Sequence, residues 1–504
     1  MLNKYIIGID IGTQGTKTSL VSTSGQIVAD SFEDSNLIRP GVGMVQQDAD
    51  DIYFSVLRTI KNVIEKSGIS GRDVISIAID GQMAGIMAID QDWNAVTYYD
   101  SWLDTRCEKY IEQMKAEGEE KIIRLTGCPI TYAHGPKVMW WKGEHPETYE
   151  KIRKFVMPSV YAAGRMTGLK ADQAYIDYTY LHFSGFADTK NCRWSEELLH
   201  HFGVSIDKMP QIVEPWKVIG KVTPAAASAS GLESGIPVVA GCGDSAATSL
   251  GAGITKKGYL FDMAGTASIF SCCVDEYNSD TAAKTLLFAK SVIPGLWNPM
   301  AYINGGGMCL KWFQDNLTGK DGKTSMRELD EEAKAIAAGS ENLIFIPHFS
   351  GRVCPNNPLI RGGYLGLSWI HDRRHMYRSI MEGIAYEYKF YLETIQNLIP
   401  DVSLLKVIAV GGGAKSKLFN SIKSDVLGVK YCPELISNTA ALGCAAIAGY
   451  GVQAYDSIES AVDMFVKFAE EIEPNMANHE KYAKYATIYK NSFKPLEGIY
   501  RELI

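Results

Sequence analysis

The 504-residue chain holds ten cysteines but no C-x-x-C pair, a pattern that resembles neither a disulfide framework nor a zinc site. The thiols are expected to be reduced and mostly buried, with the adjacent Cys272 and Cys273 facing opposite sides of a strand. Nine histidines form no H-E-x-x-H and no Cys/His cluster, and there is no serine nucleophile elbow, so metallohydrolase and serine-hydrolase chemistry find no support. G-x-x-x-x-G-K-[ST], H-R-D and D-F-G are all missing, which excludes the P-loop and protein-kinase designs for phosphoryl transfer. No apolar run approaches the roughly 20 residues that span a bilayer. The longest, around Ala440 to Ala448, is short and contains Gly443. A formal net charge of -8 leaves no basic stripe for a nucleic-acid backbone or an anionic membrane, so neither is an expected partner. The amino terminus enters the strand-like Tyr5-Ile6-Ile7-Gly8-Ile9 without a basic leader, so the mature protein is expected to start there and to be cytoplasmic.

What is present is the composition of a well-packed globular protein, with 46% apolar and 21% charged residues. The length exceeds one ordinary core, so two domains of roughly 250 residues are expected, with a cleft between them as the default site. The opening reads as a three-stranded meander: Tyr5 to Asp10, the turn Gly12-Thr13-Gln14-Gly15, Thr16 to Ser22, then Gln26 to Ala29. Apolar residues at Ile52, Val56, Ile60 and Val63 or Ile64 predict a helix over 50–66, closed by Gly68 and followed by a strand from Val74 to Asp80. Between Ser101 and about Met209 charge and aromatics rise, with Trp140-Trp141 and His200-His201 pairs that suggest insertions on a simpler core, and no topology is assigned there. Gly235 to Ala240 reads as a buried strand turning through Gly241-Cys242-Gly243-Asp244 into a helix. The opening pattern then recurs, with Gly258 to Asp262 leading to Ala264-Gly265-Thr266 and a strand through Ile269-Phe270, which points to duplication near residue 255. A long helix from Asp372 to about Leu398 places Met376, Ile380 and Ile384 on one face, and both halves read as mixed α/β.

Three glycine turns follow predicted strands: Asp10 to Lys17, Ala264-Gly265-Thr266, and Gly411-Gly412-Gly413-Ala414. Glycine lets backbone N–H groups approach phosphate oxygens, the Thr13 and Thr266 hydroxyls add donors, and Lys17 adds charge. Singly each turn is commonplace, and together they suit a polyphosphate. Asp10, beside the first turn, is a magnesium ligand or a capping aspartate. Asp244 is an N-cap, a general base for a hydroxyl attacking a γ-phosphorus, or both. Trp102, Asp104 and Arg106 offer a ring face, an acceptor and a fork of donors suited to a polyhydroxylated carbon chain, or else begin an ordinary amphipathic helix.

In family order, Asp10 to Lys17, Gly81-Gln82-Met83, Trp102-Leu103-Asp104-Thr105-Arg106, Gly241 to Asp244, Gly265-Thr266, Gly305 to Gly307 and Gly411 to Ala414 resemble the FGGY carbohydrate kinases along nearly the whole chain. The carboxy-terminal signature matches Gly362 to Leu367 with His375-Met376, Ser379 and Glu382, and the amino-terminal one is partial, around Pro136-Lys137 and Trp140. The resemblance implies two actin-like, ribonuclease-H-like α/β domains around a central cleft: 1–250 binding sugar and phosphate, 251–504 binding nucleotide. It implies transfer of the γ-phosphoryl group of ATP to a hydroxyl of a small sugar, with Asp244 as base and Asp10 organising Mg²⁺. Gly12, Thr13, Gln14, Lys17, Gly265, Thr266, Gly307, Gly412, Gly413 and Ala414 would hold the nucleotide. Gln82, Met83, Ala84, Trp102, Asp104, Arg106 and Asp244 would hold the sugar, and a homodimer is the family expectation. The segments around Gln82 and Trp102 are most similar to xylulokinases, which makes a ketopentose such as xylulose the leading substrate. Xylulokinases place a histidine after Gln-Met where this chain has Ala84, and the bulky Asp177 to His182 segment also departs from their small-residue pattern. Glycerol, gluconate or another polyol or ketose therefore stay open as substrates. A non-catalytic actin-like ATP-binding module is the alternative of a different class.

Overall fold

The computed structural model describes residues 4–318, 324–435 and 438–503. These form two compact units: the described residues of Met1–Thr255, Phe288–Trp297 and Asn438–Val466, and those of Lys256–Leu287, Asn298–Ser437 and Lys467–Ile504.

The first unit is built on strand Tyr5–Ile11, which pairs antiparallel with Gly15–Ser22 on one side and parallel with Val74–Gly81 on the other. Ile27–Asp34 extends the antiparallel edge, and Pro237–Val239 then Val218–Lys221 extend the other. The third strand outruns the expected 26–29, because its alternation of exposed and covered residues continues in register from Val21 back to Gly15. Helix Ala49–Ser67 starts where the Asp48 carboxylate accepts from the Asp50 and Asp51 amides, and ends at Gly68 in the left-handed region (φ 67°). Its face of Ile52, Val56, Ile60 and Val63 is buried as the spacing predicts.

The segment without an assigned topology is a run of short pieces. Helices Glu108–Thr126, His134–Glu144, Pro146–Lys151 and Pro158–Thr167 are followed by a 3₁₀ turn, Tyr178–Phe183. Trp140 and Trp141 pack into the core of this unit, and the Trp141 indole donates to the Asp100 carboxylate at 2.6 Å. The apolar stretch near 440–448 lies in helix Thr439–Gly451, buried nearly all round as part of this first unit. Its backbone lies so close to its neighbours that a Cβ on Gly8 would sit 2.2 Å from the Ala441 carbonyl, and one on Gly443 would sit 2.1 Å from that of Ala247. Among the described residues no helix is long and apolar enough to cross a membrane.

The second unit repeats the plan of the first. Strand Tyr259–Ala264 pairs antiparallel with Ser268–Cys272 and parallel with Lys406–Val410; Trp297–Ile303 and Tyr431–Pro433 extend the two sides with the same directions as their counterparts. Helix Arg373–Leu398, capped by Asp372, is sheathed on most sides. Its Glu382 accepts from the Gly339 amide, the Ser340 and Tyr482 hydroxyls and Arg378, so this part of the sequence signature is spent on packing. At the sheet centre Asp262, fully buried, is paired with Lys423 and accepts from the Tyr388 hydroxyl at 2.8 Å. All ten cysteines are free thiols.

Candidate active site

Parallel strands in an open α/β sheet deliver their carboxyl ends to one side, where ligands are usually met. In the first unit three such ends carry an acid. Asp10 precedes the last residue of its strand, Asp80 stands opposite it on the neighbouring strand, and the third strand runs through Gly241 to Asp244. The Asp10 carboxyl is half-buried and raised above the usual range by burial, an effect offset in part by a hydrogen bond to Asp80 and by Lys17. Asp80, fully buried, is raised much further by burial, with Cys444 and Asp10 adding to the effect. The Cys444 thiol donates to Asp80 Oδ2 at 3.1 Å. Burial therefore disfavours the charged form more at Asp80 than at Asp10, which is the less covered of the pair.

Asp244 is the first residue of helix Asp244–Gly251, and Gly243, not Asp244, occupies the capping position. Its half-buried carboxylate accepts from the Ser245 amide at 2.6 Å. Burial first, and the negative charge of Asp10 second, push this carboxyl up to about 7. A tight corner makes this placement feasible: Gly241 is left-handed (φ 75°), and a Cβ there would stand 1.9 Å from the Ile79 carbonyl.

The expected sugar-facing residues are wired to the first turn. The Gln82 amide N–H donates to the Ile11 carbonyl at 2.9 Å, and its side chain donates to Gln47 at 2.6 Å while accepting from the Thr13 hydroxyl at 3.3 Å. The half-exposed Trp102 donates its indole N–H to Thr13 Oγ1 at 2.8 Å. Met83 lies against Gly243, its sulfur accepting from the Ser245 hydroxyl at 2.9 Å, and Ala84 is left-handed (φ 62°). Asp104 departs from the expected role of an open acceptor. It is fully buried, and its carboxylate is taken by the Val45 amide at 2.8 Å and by Arg106 at 2.9 and 3.0 Å. Arg106 also bonds Asp100 at 2.6 Å and lies over the Trp140 ring. This pair shapes the loop under Trp102. Gln14 is exposed at the tip of its turn, Gly12 closes that turn by donating to the Gly15 carbonyl at 3.0 Å, and Lys17 bonds the Asn438 side chain.

In the second unit the remaining turns meet one another. A Cβ on Gly307 would stand 2.0 Å from the Gly265 carbonyl, and Met308 N–H donates to the Thr266 carbonyl at 3.3 Å. Gly411 is left-handed (φ 86°) with its Cβ position 2.9 Å from the Ala264 carbonyl, and that of Gly413 is 2.6 Å from the Ala264 side chain. Gly412 has open space where a side chain would go, Thr266 is exposed, and the Ala414 carbonyl accepts from Asn420 at 2.7 Å. The Gly265 N–H is spent within its own turn on the Met263 and Ala267 carbonyls, both at 3.1 Å, so the open approach for an anion lies at Gly412.

Sequence reasoning did not single out Asp80, Gln47 or Asp100. Asp80 had a readable signal, an acid at the end of a predicted strand with glycine directly after it. Gln47 and Asp100 lie on two-residue strands that carry no periodic pattern.

The amino-terminal and carboxy-terminal domain models of the FGGY family of carbohydrate kinases match residues 5–251 and 263–452. The chain is 27% identical to the xylulose kinase of Bacillus subtilis (strain 168), covering 97% of each. It is 25% identical to the gluconokinase of Bacillus licheniformis over 100% of this chain and 98% of that one. The structure of the ligand-bound xylulose kinase from Lactobacillus acidophilus superposes with a TM-score of 0.91 at 23% identity, covering 99% of this chain and 100% of the other. With two actin-like α/β folds, acids at three parallel strand ends and both family models matched in order, the chain belongs to the FGGY family of carbohydrate kinases and is a phosphotransferase with an alcohol group as acceptor.

Proposed function

We propose that this kinase phosphorylates a terminal hydroxyl of a small ketose, a ketopentose such as xylulose first among them, with Asp244 as general base. The observation that carries the reading is the Asp244 carboxyl, half-buried beside Asp10 and raised to about 7, where a base can take a proton near neutral pH. ATP is the phosphoryl donor, as for the family. In the second unit, Gly265, Thr266, Gly307, Gly412, Gly413 and Ala414 would line the nucleotide. In the first, Gly12, Thr13, Gln14 and Lys17 would meet phosphate oxygens.

The donor set suits a magnesium ion. Asp10 presents a carboxylate with a second carboxyl behind it, and the burial that raises its pKa is a cost a divalent cation offsets. Held by Asp10, the ion would neutralise phosphate charge during transfer. Asp244 then accepts the sugar hydroxyl proton as the oxygen attacks the γ-phosphorus; the new P–O bond forms as the bond to the β–γ bridging oxygen breaks and ADP departs. Gln82, Met83 and Trp102 would orient the sugar, while Asp104 and Arg106 hold the loop that carries Trp102.

Ala84 favours a second reading within the same chemistry. Its methyl group makes no hydrogen bond where xylulokinases carry a histidine, which suits a different ketose, glycerol or a sugar acid such as gluconate. Coupled ADP release with Mg-ATP against pentuloses, hexuloses, polyols and sugar acids is the test. A ketopentose as best substrate by kcat/KM supports the first reading, and gluconate or glycerol as best substrate replaces it with the second.

A further inference from the structure

The aromatic segment that departs from the expected small-residue pattern is bonded directly to the corner that carries Asp244. Asp177 caps the 3₁₀ turn Tyr178–Phe183 and accepts from the Thr179 amide at 2.9 Å and from the Thr179 hydroxyl at 2.5 Å. A threonine hydroxyl has one proton, so with that proton given to Asp177 its oxygen is left as an acceptor. The Gly243 amide fills it, donating to Thr179 Oγ1 at 2.9 Å. The chain of donors runs one way: Gly243 N–H to Thr179, Thr179 O–H to Asp177. Both Asp177 and Thr179 are buried, and the Gly243 amide sits at the N-cap of the helix, where no bond within the helix takes it.

The next residue ties the same corner to the strand end bearing Gln82. The Tyr180 hydroxyl, fully buried, lies 2.8 Å from the Gly81 carbonyl, 3.3 Å from that of Cys242 and 3.2 Å from Ser159 Oγ. Gly81 N–H itself donates to the Cys242 carbonyl at 3.3 Å. Two successive side chains thus hold residues 81, 242 and 243 in one register, and the residues next in sequence are Gln82 and Asp244.

We propose that Thr179, backed by Asp177 and seconded by Tyr180, is a positioning residue that sets the place of the Asp244 carboxylate against the substrate hydroxyl. The proposal rests on the reading of Asp244 as the base. Among the described residues the Asp244 side chain is bonded only by its chain neighbour Ser245, so its location is inherited from the backbone of the Gly243 corner. A misplacement of about 1 Å in such a group costs on the order of 10²-fold in rate. Valine at 179 keeps the shape of threonine and removes the acceptor; serine restores it.

The test is a double-mutant cycle in single-turnover phosphorylation of the best sugar from the panel, with steady-state KM for ATP alongside. Thr179→Val is expected to lower the rate about 10- to 100-fold with KM for ATP within about twofold, Thr179→Ser to recover most of the loss, and Thr179→Val to add less than about twofold in an Asp244→Asn background. Should Thr179→Val be insoluble, Tyr180→Phe enters the same cycle with a smaller expected loss of about 3- to 10-fold. A Thr179→Val enzyme with a normal rate overturns the proposal, as does the same fold-loss with and without Asp244, which marks an effect that does not act through the base. Asp244→Asn alone with near-normal activity overturns the reading of Asp244, and the brace with it. An impaired Asp244→Asn enzyme beside an unaffected Thr179→Val enzyme overturns the brace alone.

Discussion

Between pH 6 and 8 the kcat/KM for the sugar is expected to climb about tenfold. The argument starts from the Asp244 carboxyl, displaced from 3.8 to about 7 by burial and by the charge of Asp10. The shift is upward, so the base is protonated and idle below its pKa and free to accept above it. A group of pKa 7 is about a tenth ionised at pH 6 and about nine tenths at pH 8, whereas an ordinary aspartate changes by about one per cent over that range. Below pH 6 the rate falls about tenfold for each further unit. The measurement is coupled ADP release from pH 5.5 to 8.5 at constant ionic strength, with sugar and ATP below saturation and coupling enzymes in excess. Magnesium is kept in excess so that the ATP γ-phosphate stays complexed, since phosphate groups titrate near 6 when free. Asp244→Asn should lose the limb together with most of the activity. A flat profile across this range, or a limb below pH 5, would refute the reasoning.

Gly307→Ala is expected to weaken nucleotide binding by about tenfold or more in calorimetric titration, since its Cβ would fall 2.0 Å from the Gly265 carbonyl; Gly412→Ala, with open space at that position, should stay within about threefold. Lys423→Met leaves Asp262 buried without its partner and should cost about 3–5 kcal/mol in urea denaturation. Ala84→His restores a hydrogen-bonding side chain at a left-handed position, and should raise kcat/KM for xylulose relative to gluconate by about tenfold or more.

Much of the frame was legible because it rests on local chemistry. The meander, the helix after Asp48, the strand-to-helix corner at Asp244 and the second start near residue 255 all show hydrophobic period, turn residues or caps within a few positions. The matching strand directions in the two sheets bear out the repeat that the Gly-Thr turns suggested. Two kinds of feature escaped. The 101–209 segment mixes two-residue strands and 3₁₀ turns, too short for a period to show, with a helix broken at Gly118 and the helices His134–Glu144 and Pro158–Thr167, buried on most sides and so without a single apolar stripe. Partners distant in sequence were hidden as well: Thr179 meets Gly243 across 64 positions, and Asp104 reads as an exposed acceptor until Val45 and Arg106 are seen around it. The two cases share a cause, since a polar side chain announces its chemistry in sequence but not which backbone will use it.

The return of helix Thr439–Gly451 to the first unit carries a consequence for synthesis. The strand that begins this unit starts at Tyr5, yet the helix that covers its Gly8 lies some 430 residues later. When Thr255 leaves the ribosome, the first sheet has its strands but not its cover, and at about 5–20 residues per second the missing helix follows roughly 10–40 s later. For that interval the nascent chain shows an apolar sheet face to the surrounding solution, a natural surface for holding factors, and the amino-terminal half expressed alone would keep that face bare.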